Sequence, residues 1–271
     1  MKFLFLLFAF LFVSCNSEKV ELAFDARRNE NLKYELNISL DALALPESDS
    51  LPGENLQSKM HILSDYRLLA SFDDGSAKYQ VKLDSIHYES NKREKEEWKY
   101  LEKYLKEQSF QYKMAKDGFI LGMPVMDSFV PVLGNEDLDL TKIFLKLQPV
   151  LPGKRVSVGE SWRREHAFHE KAFQTVIYKE FTLKEIFNRA GKRLAKIEMR
   201  ISYKQLQEDA SVKMESTDFI VGSGFLLFDL TDGCIEESAM EISGNMKIAD
   251  KVFDKNLPDI RVHQILKMRR I

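Results

Sequence analysis

Apolar residues recur at every second position over long stretches of this chain, and dipeptides ending in glycine separate the stretches: Asp74-Gly75, Asp117-Gly118, Ala190-Gly191 and Asp232-Gly233. Successive side chains of a strand point to opposite faces, so alternation buries one face and wets the other, while glycine accepts the positive φ of a tight hairpin. Such a chain is directed toward antiparallel sheet. After Gly191 the pattern is plain: Ala195, Ile197, Met199, Ile201 and Tyr203 share one parity, and Lys196, Glu198, Arg200 and Ser202 share the other. After Gly75, Tyr79, Val81 and Leu83 lie on one parity but Ile86 and Tyr88 on the opposite one, a change of phase that predicts a bulge near Asp84-Ser85. Met240, Ile242, Met246 and Ile248, and then Val262, Leu266 and Met268, keep the same period.

Two segments break it. Between Asn91 and Gln108, Trp98, Leu101, Tyr104 and Leu105 recur at helical spacing among Lys and Glu, predicting an amphipathic helix with Asn91 as its N-cap. Leu138, Ile143, Phe144 and Leu147 predict a shorter helix that stops before Pro149. The expected fold is α+β and mainly antiparallel β: a large curved sheet or open half-barrel with one or two covering helices. By element pattern it looks similar to the lipoprotein-carrier and lipid-binding half-barrels of bacterial envelopes.

The first residues read differently. Met1-Lys2 precedes eleven apolar residues, Phe3 to Val13, and then Ser14-Cys15, which is the layout of a secretory signal. As a helix, eleven residues cover about 16 Å at ~1.5 Å each, roughly half of a ~30 Å hydrocarbon core. The run is too short to span. Phe12-Val13-Ser14-Cys15 resembles a bacterial lipobox, with Phe12 where Leu is usual. That resemblance implies removal of residues 1–14 and a mature chain that starts at Cys15 with a diacylglyceryl group and an amide-linked acyl chain such as palmitate. At ~0.8 kcal/mol per buried CH₂, two or three chains anchor a protein to a bilayer durably. Residues 15–30, polar and charged, are expected to form a solvated linker. Residues 31–271 then form a single sheet-rich domain, with two loose halves meeting near residues 149–153.

Leu151-Pro152-Gly153 running into Val156-Ser157-Val158-Gly159-Glu160-Ser161-Trp162, and much later Gly222-Ser223-Gly224 running into Asp232-Gly233, resemble blocks of a secreted bacterial lipoprotein family of unknown function. The family has no established catalytic residues. Read from the residues alone, Val156 and Val158 alternate into a core, Gly159 allows a positive φ, and Trp162 anchors the next strand or stands at the rim of a ligand pocket. Trp98 is the second candidate for such a rim. Gly222 and Gly224 lie between two strands, so no helix follows to complete a phosphate-binding loop; a bulge or bend is the expectation.

Chemistry is sparse. His166 and His169 share a metal only if both project from one helical face; in a strand, positions three apart point oppositely, so no metal site and no cofactor is expected. His61, His87 and His263 stand singly in strand-like runs. Cys234 has no partner once Cys15 is acylated and reads as a small buried filler. Neither a Gly-x-Ser-x-Gly elbow, a His-Glu-x-x-His, nor a Gly-x-x-x-x-Gly-Lys-Ser/Thr motif occurs. With 40 Lys+Arg against 42 Asp+Glu, the chain carries no global basic field for nucleic acid.

These readings converge on a non-enzymatic lipoprotein of the cell envelope, held on the periplasmic or surface side of a membrane. Its sheet is expected to bind a lipophilic molecule or a segment of an envelope protein. The alternatives are an assembly subunit with a packed core and, more weakly, a hydrolase with a dispersed site. A carrier requires a cavity of ~300–1,000 Å³; a scaffold requires interior packing near ~0.75 density.

Overall fold

A computed structural model describes residues 18–44, 54–91, 99, 102, 103, 105, 106, 109–122, 125, 126, 148–170, 173–207, 219–250 and 255–271. The signal segment, Cys15, Trp98 and the whole predicted helix at 138–147 lie outside the described residues. The strands are β1 (Lys19–Glu21), β2 (Asn31–Ala44), β3 (Glu54–Ser71), β4 (Ala77–Ser90), β5 (Ser109–Met114) and β6 (Val125–Met126). They continue with β7 (Arg155–Ser157), β8 (Ser161–Glu170), β9 (Phe173–Arg189), β10 (Lys192–Gln207), β11 (Phe219–Asp229), β12 (Cys234–Asp250) and β13 (Lys255–Arg270). Eleven of them form one open antiparallel sheet in the order β6-β5-β4-β3-β2-β13-β12-β11-β10-β9-β8, and β1 pairs with β7 in a separate ribbon.

The two expected halves are one sheet. β2 and β13 pair in its interior from Ile260↔Ala44 to Arg270↔Tyr34, so the seam runs through the middle of the ladder and not through the connector at 149–153. Alternation holds across strands as well as along them. One rung reads Leu183, Ile197, Leu226, Ser238, Met268, Leu36, Ile62, Ile86; the neighbouring rung on the other face reads Thr182, Glu198, Phe225, Ala239, Lys267, Asn37, His61, His87. The first rung belongs to the covered face. Val20, Leu22, Leu105, Leu151 and Val156, none of them in the eleven-stranded sheet, join that face in the main hydrophobic core.

All four glycine dipeptides sit at turns with positive φ, namely 79° at Gly75, 89° at Gly118, 78° at Gly191 and 67° at Gly233. At the third of them Ala190 is also left-handed, at 50°, which gives the β9–β10 hairpin two successive positive φ values as a type I′ turn requires. The bulge predicted from the change of phase is present: Leu63 faces Ser85 and Ser64 faces Leu83, leaving Asp84 as the extra residue.

Several expectations are corrected. Residues 19–30 are not a solvated spacer: Val20 and Leu22 are 6% and 1% exposed, Ala26 and Asn29 are buried, and Phe24 packs edge-on against Phe228 at 5.4 Å. Val20, Leu22 and Phe24 alternate among charged neighbours, a two-residue period too short to stand out. Val156 enters the core as expected, but Val158 is 47% exposed because the chain turns at Val158-Gly159 immediately after β7. Gly222 and Gly224 are not at a bulge, which falls at Leu227/Phe228; they allow close approach, since a Cβ on Gly224 would lie 2.0 Å from the Ala239 carbonyl oxygen. The Asn91 side chain is tied to β3: Oδ1 accepts from the Gln57 backbone N–H at 2.8 Å and Nδ2 donates to the Asn55 carbonyl at 3.0 Å, while residues 92–98, where the helix expected after it would begin, lie outside the described residues. Beyond it, Lys99, Glu102, Lys103, Leu105 and Lys106 have helical backbone. Leu105 is buried in the main core, and the Glu102 carboxylate accepts from the Tyr88 backbone N–H at 2.9 Å.

Candidate functional site

The enclosed concavity of the covered face is built from tyrosines. Tyr34 on β2, Tyr66 on β3, Tyr79 on β4 and Tyr112 on β5 share the inward parity and fall on three neighbouring rungs: Tyr34 opposite Ser64, Tyr66 opposite Val81, and Tyr79 opposite Tyr112. Together with Leu32, Leu83, Phe110 and Ile235 they line a cleft of about 80 Å³. Tyr34 meets Tyr66 edge-to-face at 5.2 Å, and Tyr79 stacks on Tyr112 at 5.6 Å. Flat rings fixed in these geometries cannot flow into the space between them as aliphatic chains do, and a gap persists.

The polar groups in its wall are few and neutral. The Tyr34 hydroxyl donates to the Ile235 carbonyl at 3.0 Å, and the Ser64 hydroxyl to the Tyr34 carbonyl at 3.3 Å. Asn29, 3% exposed, donates through Nδ2 to the carbonyls of Asp25 at 2.7 Å and Asp232 at 2.5 Å; its Oδ1 is buried and has no partner among the described residues. Gln148 reaches the Met114 sulfur at 3.1 Å. Burial drives the tyrosine hydroxyls upward: Tyr66 and Tyr79 to about 12, Tyr34 and Tyr112 well above the ordinary phenol value. They stay protonated at physiological pH. Among the described residues no carboxylate, imidazole, lysine or arginine lines the cleft, so it offers contact rather than a proton-transfer pair.

A wider trough of about 790 Å³ crosses β8 to β12 on the outer face, where Arg163, Glu180, Arg200, Ser223 and Glu241 follow one another along a rung. Its charges alternate in sign, and Arg163 already pairs with Glu180 at 3.4 Å, the arrangement of an ordinary wetted sheet face. The smaller, apolar cleft is the better candidate.

The sequence-predicted site residues do not gather there. Trp162 is 7% exposed, stacks on Phe181 at 5.5 Å, and donates through Nε1 to the Val150 carbonyl at 2.9 Å; it pins the connector to β8 and does not line the cleft. Both His166 and His169 fall within β8, opposite Ile177 and Gln174, so they do not share a helical face. Among the described residues no group of three or more His, Cys, Asp or Glu is placed to hold a metal. His61 pairs with Glu35 at 3.0 Å, His87 with Glu102 at 3.0 Å, and His263 with Glu241 at 2.9 Å, all as surface pairs. The His61 and Arg269 hydrogen bonds hold the Glu35 carboxyl below its usual value. Cys234 is buried, with the Arg270 guanidinium donating to its sulfur at 2.9 Å, and burial pushes its thiol up to about 12. The missed signal was parity: Tyr34, Tyr66, Tyr79 and Tyr112 each occupy the inward position of an alternating run, but only the strand registers bring them together.

Charged residues also stand on the covered face, and Lys179 is the most deeply placed of those on the rung it shares with Arg164. Lys179, opposite Arg164 and Ile201, is 7% exposed; its amine donates to the Gln148 carbonyl at 2.9 Å, and burial pushes it down to about 8.

No protein-family model matches the chain, and no curated protein matches it. Among solved structures, the chain is similar to DynF from the dynemicin biosynthesis pathway of Micromonospora chersina, with 7% identity, 94% of this chain and 86% of that one covered, and a TM-score of 0.21. At that score the likeness carries no argument. No helix of the described residues is long and apolar enough to cross a membrane.

Proposed function

We propose that the chain is a lipid-anchored protein of the bacterial cell envelope that acts by binding, with the tyrosine-walled cleft receiving a short lipophilic group. The observation that carries this reading is the wall of the cleft, which presents rings, aliphatic chains and neutral polar groups only. An apolar group seated there leaves water for contact with rings and aliphatic chains, which favours its binding. At about 30 Å³ per water-sized group, a cleft of about 80 Å³ takes the end of an acyl chain or a small ring, not a whole lipid. Anchoring rests on Cys15 and its lipobox-like context.

A second reading draws support from the same volume. The cleft lies well below the ~300–1,000 Å³ of pockets that engulf a ligand, which suits an assembly subunit whose sheet serves as a rigid platform. Native mass spectrometry of the full-length protein taken from membranes, before and after organic extraction, separates the two. The ligand reading expects a bound lipophilic species that extraction removes; an unchanged mass with nothing released leaves the platform reading in its place. For the anchor, Cys15→Ala is expected to move the protein out of the membrane fraction, and retention there would defeat the assignment.

A further inference from the structure

The exposed large apolar residues described in the structure are Leu69, Phe72, Phe119, Leu121, Val158 and Ile271. All six lie at one end of the strands. Leu69 and Phe72 belong to the β3–β4 hairpin tip, and Phe119 and Leu121 flank the turn after β5. Val158 is in the β7–β8 turn, and Ile271 follows β13. Single exposed apolar residues are unremarkable on a protein surface, and the connections at the opposite end of the strands (45–53, 171–172, 208–218 and 251–254) lie outside the described residues; what matters is where these six stand relative to the point at which the chain enters the fold.

The same end is where the described chain begins. Glu18 pairs with Arg193 at the start of β10, and Lys19 pairs across to Ser157, next to Val158. From there residues 22–30 run beneath the strand ends, with Phe24 donating to the Lys116 carbonyl at 2.8 Å, Asp25 to the Gly233 carbonyl at 3.0 Å, and the Glu30 carbonyl accepting from Leu68 at 2.8 Å. Only Asn16 and Ser17 lie between Cys15 and Glu18, and the three steps from one to the other reach at most about 11 Å at ~3.3–3.6 Å each. An acyl chain on Cys15 therefore cannot hold this end far from the lipid surface. Lys113 stands 4.2 Å over the Phe72 ring and Lys116 lies beside Gly75, while Asp74 and Asp117 accept hydrogen bonds within the same turns, so charged groups of both signs flank the apolar tips at headgroup level.

We infer that the turn end of the sheet is a bilayer-contacting surface, with Phe72, Phe119 and Leu121 seated among lipid headgroups and acyl-chain ends beside the anchor, and the rest of the sheet rising away from the membrane. This rests on acylation at Cys15. It sets an orientation that a tether alone would leave free.

The test uses full-length protein, isolated from membranes and reconstituted into vesicles of equimolar phosphatidylcholine and phosphatidylglycerol. Phe72→Cys, Phe119→Cys and, at the far end of β4, Glu89→Cys are each labelled with an environment-sensitive maleimide dye. Cys234 stays unlabelled because it is buried with its thiol pushed up to about 12. Iodide quenching of the two turn-end labels is expected to fall severalfold on reconstitution, with their emission shifted to the blue, while the Glu89→Cys label is unchanged. Should one turn-end variant fail to fold, Leu121→Cys replaces it. The mass of the N-terminal peptide is read on the same samples. An acylated peptide with turn-end labels as open to iodide as the Glu89→Cys label overturns the orientation and leaves the anchor standing; an unacylated peptide removes the anchor and the inference with it.

Discussion

The β2–β5 side of the covered face and the β9–β12 side solve the same packing problem with different residues. On the second side Leu183, Leu194, Ile197, Leu226 and Phe228 are 0–1% exposed and belong to one continuous core. On the first, Tyr34, Tyr66, Tyr79 and Tyr112 hold one another in edge and stacked pairs and leave a cleft of about 80 Å³. Branched aliphatic chains adapt to the pleat; rings that must also orient a hydroxyl do not. The aliphatic side is the one expected to carry most of the stability, and the tyrosine side is the one that keeps an open cleft.

The largest effect should come from hollowing the packed side. Phe181→Ala removes a ring that is 1% exposed and stacked on Trp162, and is expected to lower unfolding stability by about 3–5 kcal/mol in urea titrations. A loss under ~1 kcal/mol would mean that this side is as loose as the other.

Next comes Lys179, whose amine is displaced from 10.5 to about 8 by burial, a difference worth roughly 3 kcal/mol. The unfolded chain binds the proton more tightly than the folded one between these values. Stability should therefore rise with pH from about 8 to 10.5, and the penalty should be complete below 8. Lys179→Met is expected to raise stability at pH 7 and flatten that rise. The tyrosines act with the opposite sign: their raised values favour the folded state below 10, and that contribution is lost as pH climbs through about 12. Urea midpoints for the two proteins from pH 7 to pH 11 check both slopes.

Enlarging one side chain on each side gives a smaller and more direct contrast. Leu226→Phe, in a position with no exposure, is expected to cost about 1–3 kcal/mol through overpacking. Leu83→Phe, which faces the cleft, should cost under ~1 kcal/mol and should abolish capture of a lipophilic species in native mass spectra. Equal costs at the two positions would erase the comparison. The smallest effect is expected within one turn: Val158→Ala should change stability by less than ~0.5 kcal/mol, whereas Val156→Ala, 1% exposed and two residues earlier, should cost more than ~1 kcal/mol.

Much of this fold was legible because its signals are local. An Asp-Gly or Ala-Gly pair states its own need for positive φ, and the slip of phase between Leu83 and Ile86 announces Asp84 as an extra residue. The β1 ribbon was hidden because Val20 and Leu22 alternate over too few positions to outweigh Glu18, Lys19 and Glu21 around them. The cleft was hidden for another reason. Tyr34, Tyr66, Tyr79 and Tyr112 each occupy an inward position of their own strand, but their meeting depends on how β2, β3, β4 and β5 register with one another, and no local pattern within one strand encodes that register. Trp162 misled in the same way: a large aromatic beside a turn is equally compatible with a pocket rim and with the stacked position it holds on Phe181.

The pairing of β2 with β13 has a further effect on how the molecule comes to exist. Every other strand of the eleven-stranded sheet lies between these two along the polypeptide, so the ladder remains two separate blocks until the seam forms. Until then β2 and β12 each present a row of bare amide and carbonyl groups, an invitation to mispair with other copies. A nascent chain of this design needs its last sixteen-residue ribbon before it is safe from self-association, and trimming that ribbon would split the finished sheet through its centre instead of fraying its rim.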